Sequence, residues 1–214
     1  MTPWTPPPGT RGLIFDCDGT LADTMPIHFR AWKTMLDPHG IPFTEPRFYS
    51  LGGMPTSKII RLLSDESGII LDDMDGMMDR KEALFVQHFL TDVKGIENVV
   101  QIAESFRNVL PMAVASGGYR RIVEKTLTQL NVHDWFDAIV CAEDTVLHKP
   151  EPDVFLEAAR RIDVEPKYCV AFEDTDIGLE AIRRAGMTGV DVRPWLPVGH
   201  GGRLQGVESA LLSR

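Results

Sequence analysis

The feature that most constrains this chain is a short apolar run, residues 13–15, that leads directly into two acids one residue apart, Asp16 and Asp18. An unbroken run of this kind predicts a strand that is buried on both faces of a parallel sheet. Alternate residues of a strand share a face, and Gly19 permits a sharp turn just afterwards. We therefore expect both carboxylates at the carboxyl end of the strand, where open α/β sheets bind ligands.

Two carboxylates held close together repel each other, so they require a cation or a shared proton. One of them can attack an electrophile while its neighbour, kept neutral by a raised pKa, protonates the leaving group. The same DxDG pattern also fits a turn that is capped by an Asp side chain. Catalytic or metal-binding residues further along the chain would favour the first interpretation.

The composition limits the class of protein and of partner. Of 214 residues, 43% are hydrophobic and 25% are charged, as in one globular domain with or without an insertion. The net charge of −9 argues against nucleic acid as a partner but not against a small phosphate ester. No apolar run approaches the ~20 residues of a membrane span, and no basic segment precedes an apolar leader. We expect a cytoplasmic monomer or weak dimer with no membrane partner.

The order of the sequence patterns predicts the domain organisation. Residues 1–10 are rich in proline and predict an extended tail, whereas residues 25–92 have apolar residues at helical spacing. A helical block directly after a catalytic strand is typical of a lid. Helices and strands then alternate, with strands predicted at 111–116, 136–141, 168–172 and 188–192. The predicted fold is α/β: a doubly wound, Rossmann-like parallel sheet from 11–24 and 93–214, with an inserted α-helical cap at 25–92.

Three further motifs follow predicted strands. Ser116, with Gly117 after it, can offer a hydroxyl and backbone N–H groups to phosphate oxygens. Lys149 can neutralise a carboxylate nucleophile and a phosphoryl oxygen together. Glu173 and Asp174 would complete an oxygen shell for Mg²⁺. Taken singly, these motifs also fit a turn, a solvated lysine and a helix N-cap.

Together the motifs resemble those of a known family. The DxDGT segment at 16–20, a strand-end Ser, a Lys-Pro and a Glu-Asp pair occur in the order of the four motifs of the haloacid dehalogenase (HAD) superfamily. The resemblance extends from about residue 11 to residue 193. It is greatest to the branch of β-phosphoglucomutases and small sugar-phosphate phosphatases, including bacterial fructose-1-phosphate phosphatases.

This resemblance implies a mechanism and a cofactor. Asp16 would take the phosphoryl group from a small phosphorylated sugar, and Asp18 would act as the acid and base. Mg²⁺ would be held by Asp16, the Asp18 carbonyl and Asp174, with Glu173 next to the ion or behind it. Lys149, Ser116 and Thr20 would neutralise the phosphoryl oxygens.

The same resemblance implies roles for residues of the cap. His28 matches a segment whose histidine supports proton transfer in the mutases, and Lys81 matches a lysine that reaches the active site. Gly52 and Gly53 form a glycine-rich turn that we expect to face a small polar monophosphate. Without the resemblance, His28 would be interpreted as a residue on a helix surface and Lys81 as a solvated charge.

Two alternatives remain beside a hexose-phosphate phosphatase, for which fructose 1-phosphate is the example. A β-phosphoglucomutase grips a second phosphate with a cap arginine, and Thr56 stands at that position here, although Arg120 could compensate in part. We therefore predict hydrolysis, with the mutase reaction as the alternative. A non-catalytic phospho-receiver or Mg²⁺-binding module also has acids at strand ends, but the helical insertion after the first motif argues against it.

Overall fold

The computed structural model describes residues 4–52, 54, 56–71 and 73–196. Within these residues, five parallel strands form one sheet in the order β3-β2-β1-β4-β5. The strands are β1 (Gly12–Phe15), β2 (Met112–Ala115), β3 (Ala138–Val140), β4 (Cys169–Glu173) and β5 (Thr188–Asp191). Because the strand order reverses its direction at β1, a ligand crevice is expected where β1 meets its neighbours. The acids of the first and fourth motifs lie at this edge.

Helices cover both faces of the sheet. Leu13 and Phe15 pack with the helices at 97–106 and 120–129 on one face, whereas Ile14 packs with the helices at 153–161 and 176–184 on the other. This arrangement confirms the predicted doubly wound α/β fold. The helices are α1 (Met25–Leu36), α2 (Glu45–Ser50), α3 (Thr56–Ser67), α4 (Met74–Leu84), α5 (Glu97–Phe106), α6 (Arg120–Gln129), α7 (Asp153–Arg161) and α8 (Asp176–Arg184).

Helices α1 to α4 enclose an apolar cluster of their own, and we call residues 25–92 the cap. The cluster includes Trp32, Leu36, Phe48, Ile60 and Met77. A smaller cluster joins the cap to the rest of the molecule through Ala22, Ile27, Phe85, Val93 and Ile122. Because apolar contacts continue across both ends of the cap, its boundaries at 24/25 and 92/93 stay a prediction.

The described part of the proline-rich tail packs against the sheet. Residues 4–10 form no helix or strand, but the Trp4 ring contacts Phe172 edge to face, with centroids 5.1 Å apart. Phe172 in turn stacks on Phe15, with centroids 4.6 Å apart. A column of rings therefore lies directly behind the strand ends that carry the motif acids.

Some predictions fall on residues outside the described ranges. These are Gly53 of the glycine-rich turn, the first three residues of the tail and the chain beyond residue 196. Within the described ranges, no helix is long and apolar enough to cross a membrane.

Candidate active site

The carboxyl end of β1 places Asp16 between the sheet and the cap. Its backbone N–H donates to Phe172 O across the sheet at 3.0 Å. Its buried side chain accepts a hydrogen bond through Oδ1 from Lys149 Nζ at 2.7 Å. The same ammonium group donates to Glu173 Oε2 at 2.7 Å. Lys149 therefore bridges acids at the ends of the two neighbouring strands β1 and β4.

A third acid, Asp174, completes a compact carboxylate cluster. One oxygen each from Asp16, Glu173 and Asp174 lie within 4.8 Å of one another. Thr20 Oγ1 donates to Asp174 Oδ1 at 3.1 Å. Gly19 has φ +85°, and a Cβ atom there would lie 2.2 Å from Asp174 Oδ2, so this position requires glycine. Gly19 therefore leaves the space that Asp174 occupies, and Thr20 orients the Asp174 carboxylate.

Hydrogen bonds occupy both oxygens of Glu173. Oε1 accepts from the backbone N–H groups of Asp174 and Thr175, at 3.1 and 2.9 Å, and from the Thr175 hydroxyl at 2.7 Å. Oε2 accepts from Lys149. Gly178, in the first turn of α8, leaves the necessary space, because a Cβ atom there would lie 2.1 Å from Oε2. Glu173 is therefore better suited to orienting Lys149 than to binding an ion directly.

The acids of the cluster outnumber the cations. Burial raises the pKa of Asp16 to about 7, with the charge of Lys149 opposing this and that of Glu173 adding to it. Burial, followed by the charges of Glu173 and Asp16, also raises the pKa of Asp174. Burial lowers the pKa of Lys149, but the two acids it contacts outweigh this and raise it. Three carboxylates share one ammonium group, so a divalent cation would supply the charge that the cluster lacks.

Asp18 belongs to a second group of polar residues, which connects the core to the cap. Its Oδ1 accepts from Thr24 Oγ1 at 2.6 Å and lies 3.2 Å from His28 Nε2. The other ring nitrogen of His28, Nδ1, lies 3.1 Å from Lys81 Nζ. An ammonium group can only donate, so Nδ1 accepts from Lys81 and the Nε2–H group donates to Asp18. The structure thus joins Asp18, His28 and Lys81 in one hydrogen-bonded chain.

The pKa values of the two motif acids differ from our expectation. The sequence led us to expect a raised pKa at the neighbour of the nucleophile. Burial does raise the pKa of Asp18, but the electrostatic interaction with His28, hydrogen bonds from His28 and Thr24, and the charge of Lys81 outweigh it and lower this pKa to about 2. Asp16 instead has the raised value, because it is buried and the charge of Glu173 adds to the effect of burial. The expectation of a raised pKa at Asp18 is therefore wrong for the metal-free protein.

A cavity of about 270 Å³ lies between the sheet edge and the cap. This volume is close to the lower end of small-molecule sites, which hold ligands of modest size. The sequence-predicted residues that line it are Asp16, Asp18, His28, Gly52, Lys81, Ser116, Gly117, Lys149 and Glu173. The tertiary structure therefore brings most of the predicted side chains to one cavity, although their catalytic roles stay predictions.

The loop after β2 contributes the polar wall of this cavity. Ser116 is buried, and its Oγ accepts a hydrogen bond from the backbone N–H of Gly118 at 3.0 Å. A Cβ atom at Gly118 would lie 3.2 Å from Ser116 Oγ and 3.3 Å from Asp18 Oδ2, so a side chain there would crowd both groups. Gly117 is exposed to the cavity and has open space around it.

Two sequence-based roles are changed by the structure. Thr20 is fully buried and does not line the cavity; its hydroxyl orients Asp174 instead of facing a phosphoryl oxygen. Arg120, considered as a substitute for the missing cap arginine, points elsewhere. Its guanidinium contacts Asp144 and Glu124, and it does not line the cavity. It is therefore not placed to hold a second phosphate.

Sequence reasoning did not identify Thr24, Thr175, Glu82 or Arg121. The first two precede helices, where a hydroxyl is common, but a capping role does not predict that Thr24 donates to Asp18 and Thr175 to Glu173. Glu82 is buried and binds Arg121 of α6, a contact between residues distant in the chain. No local pattern indicates that contact.

Comparisons with known proteins are consistent with this geometry. A family model for haloacid dehalogenase-like hydrolases matches residues 10–186. The chain is 39% identical over 182 residues to fructose-1-phosphate phosphatase YqaB of Escherichia coli (strain K12), covering 85% of this chain and 96% of that protein. It is 30% identical over 195 residues to β-phosphoglucomutase of Bacillus subtilis (strain 168), covering 88% and 85%.

A solved structure shows the same fold. β-Phosphoglucomutase from Clostridium difficile matches with a TM-score of 0.76 at 23% identity, over 85% of this chain and 84% of that one. At this identity the likeness concerns the fold alone. The family model, by contrast, covers most of the sequence and includes the four motifs that meet at the sheet edge. The chain therefore belongs to the haloacid dehalogenase-like hydrolases.

Proposed function

We propose that this protein is a Mg²⁺-dependent phosphatase that hydrolyses small sugar phosphates, with a hexose phosphate such as fructose 1-phosphate as the preferred class, through a phospho-aspartate. The observation that carries this proposal is the position of Asp16. It lies on a cavity wall, 2.7 Å from Lys149 Nζ and beside two further acids, with Asp18 on the cap side. The named activity of the Escherichia coli relative supports the substrate class.

The residues present fit a magnesium ion. Mg²⁺ prefers oxygen ligands and commonly takes one or two carboxylates together with water and phosphate. Asp16 and Asp174, with the Asp18 carbonyl, would hold the ion, and Glu173 would support them through Lys149. When bound, the ion would neutralise negative charge on the phosphoryl oxygens.

The first half of the reaction transfers the phosphoryl group. An Asp16 carboxylate oxygen attacks phosphorus, and the bond from phosphorus to the sugar oxygen breaks. Asp18 gives its proton to that departing oxygen, so the sugar leaves as a neutral alcohol. Lys149 and Ser116 stabilise the charge on the remaining phosphoryl oxygens.

The second half restores the enzyme. Asp18, now a carboxylate, takes a proton from water as that water attacks phosphorus, and the bond between phosphorus and Asp16 breaks. Inorganic phosphate leaves. This step leaves Asp18 protonated, but because its pKa is low in the free protein it loses that proton between turnovers and has to be protonated again. The hydrogen-bonded chain supplies a path from Lys81 through His28 to Asp18.

A phosphate-release assay over a set of sugar monophosphates, with and without Mg²⁺, tests this function. We expect release that requires Mg²⁺, and we expect Asp16→Asn to lower kcat by on the order of 10⁴-fold or more, because the amide is not a nucleophile. Asp65→Asn, at an exposed position of α3, is the matched control and should retain full activity. Substantial Mg²⁺-dependent turnover by Asp16→Asn would reject the nucleophile assignment.

The alternative activity is that of a β-phosphoglucomutase, as in the relative from Bacillus subtilis. Supplying β-glucose 1-phosphate with glucose 1,6-bisphosphate distinguishes the two reactions. The phosphatase releases free phosphate, whereas a mutase forms glucose 6-phosphate. Formation of glucose 6-phosphate faster than free phosphate would reverse the order of the two proposals.

A further inference from the structure

Glu82 is a buried acid in the cavity wall that has no part in the mechanism above. It follows Lys81 in α4, and only 5% of the residue is exposed. It nevertheless lines the cavity beside the groups that handle phosphate. Burial of a carboxylate costs free energy unless the group is paired, so the contacts of Glu82 decide what it can do at this wall.

The partner of Glu82 comes from α6, outside the cap. Arg121 of α6 donates through Nε to Glu82 Oε2 at 2.5 Å and through Nη2 to Asp79 Oδ1 at 2.6 Å. Within the described residues, the hydrogen bonds to the Glu82 carboxylate come from Arg121 alone and reach Oε2. Oε1 is therefore the oxygen that can accept from another donor. Arg121 itself does not line the cavity, and its charge is shared between two acids.

The charge of Glu82 acts on the cavity. Tyr119 lines the same cavity, and burial followed by the charge of Glu82 raises its pKa. Glu143 also lines the cavity, beside Asp16, Asp18 and Glu173, and both of its carboxylate oxygens accept from the backbone N–H of Arg120. Among the described residues that line the cavity there is no arginine.

The cations of the cavity are already committed to other groups. Lys149 bridges two acids at the sheet edge, and Lys81 donates to His28. A second phosphate group on the substrate would therefore meet carboxylates and find no guanidinium fork to bind it. Neutral hydroxyl groups, in contrast, can donate to a carboxylate oxygen without a charge penalty.

We propose that Glu82 is a specificity-determining residue that accepts hydrogen bonds from hydroxyl groups of the substrate and repels a second anionic group. The substrate class is then a phosphate monoester whose remaining part is neutral and rich in hydroxyls. This inference rests on the proposed phosphatase function. It adds the expectation that a bisphosphate is a poor substrate, and it assigns this preference to Glu82.

The test compares kcat/KM for fructose 1-phosphate and fructose 1,6-bisphosphate. Wild-type protein should favour the monophosphate by roughly tenfold or more, because like charges in a partly buried cavity repel strongly. Glu82→Gln keeps an acceptor oxygen but removes the charge, so the bisphosphate-to-monophosphate ratio should rise roughly tenfold. Asp79→Asn is the matched control. It removes the other acid that contacts Arg121, at a position with 67% of the side chain exposed, and it should leave the ratio unchanged.

The outcomes separate this inference from the proposed function. Equal use of the two substrates by wild-type protein overturns the role of Glu82, and this result does not depend on how any variant folds. A ratio that is unchanged in a folded Glu82→Gln variant, or that rises equally in Asp79→Asn, also overturns it. In those cases monophosphate hydrolysis still supports the phosphatase. Failure of wild-type protein to hydrolyse any sugar monophosphate overturns the proposed function and the inference together.

Discussion

The acid cluster at the sheet edge and the polar chain that leads into the cap are built differently. Asp16 directly follows β1, Glu173 is the last residue of β4, and Lys149 joins them at 2.7 Å to each. Backbone hydrogen bonds of the sheet determine these positions. His28 and Lys81, in contrast, project from α1 and α4 and meet at 3.1 Å only because the two helices pack together.

We infer from this difference that the acid cluster takes part in the chemical step, whereas the polar chain affects its rate and its substrate preference. The acid cluster has an excess of negative charge, which suits a metal ion and a phosphoryl group. Asp18 is the member of the polar chain that lies nearest to the acid cluster in sequence, two residues after Asp16, so we expect this chain to supply a proton or select a substrate without altering the nucleophile. We therefore expect variants of the acid cluster to reduce activity far more than variants of the cap.

The largest effect in this comparison is expected from Lys149→Met. The substitution leaves Asp16 and Glu173 without their shared cation and removes a donor to the phosphoryl oxygens. Removal of such a stabilising group should lower kcat by about 10²- to 10³-fold, measured by phosphate release. Lys167→Met, at a lysine with 61% of the side chain exposed, is the control and should have no effect. A decrease in kcat smaller than that caused by a substitution in the cap would contradict the distinction between the two regions.

A smaller loss is expected from Lys81→Met in the cap. The variant keeps the length of the side chain but removes the donor to His28 Nδ1, so reprotonation of Asp18 slows. We expect kcat to fall about 10- to 100-fold, in the range of groups that orient a catalytic residue, while the Mg²⁺ dissociation constant stays unchanged. Lys33→Met, which removes an exposed lysine of α1, serves as the control. A change in Mg²⁺ affinity equal to the change in kcat would show that the two regions are not separable.

The smallest effect concerns the pH dependence of Mg²⁺ binding. Burial raises the pKa of Asp16 to about 7 in the metal-free protein, so below this pH a proton competes with the cation for the carboxylate. Affinity for Mg²⁺ should therefore fall as the pH falls from about 8 to about 6, by up to roughly tenfold per unit for one displaced proton. Isothermal titration calorimetry at several pH values measures this. Lys81→Met should show the same dependence, and an affinity that is independent of pH would contradict the assignment.

The local patterns in the sequence were sufficient for much of the fold. Apolar runs predicted the strands, and the alternation of helices and strands predicted the doubly wound sheet. A strand that is buried on both faces of a parallel sheet has to be almost entirely apolar, so it can be recognised in the sequence. The motif acids and Ser116 stand at the ends of strands, and parallel strands end at one edge. Asp16, Ser116 and Glu173 could therefore be assigned to a common site before any contact was known. Lys149 lies in the loop between β3 and α7, and the family resemblance assigned it to the same site.

The sequence could not assign the contacts that depend on helix packing or on cumulative charge. The raised pKa of Asp16 and the lowered pKa of Asp18 reverse the expected order, because each value depends on burial and on groups brought close from other segments of the chain. The contact between Thr20 and Asp174 likewise joins residues 154 positions apart.

The sequence alone was sufficient to predict a parallel sheet, the edge at which its ligand site lies and the types of side chain that meet there. These features follow from short-range patterns and from the common direction of the strands. The pairing of these groups depends on the tertiary structure: Glu173 accepts from Lys149 through Oε2, and Glu82 of the cap accepts from Arg121 of α6. The physical reason is that hydrogen bonds and charges act over a few ångströms. Packing of elements far apart in the chain, rather than any local pattern, sets those distances.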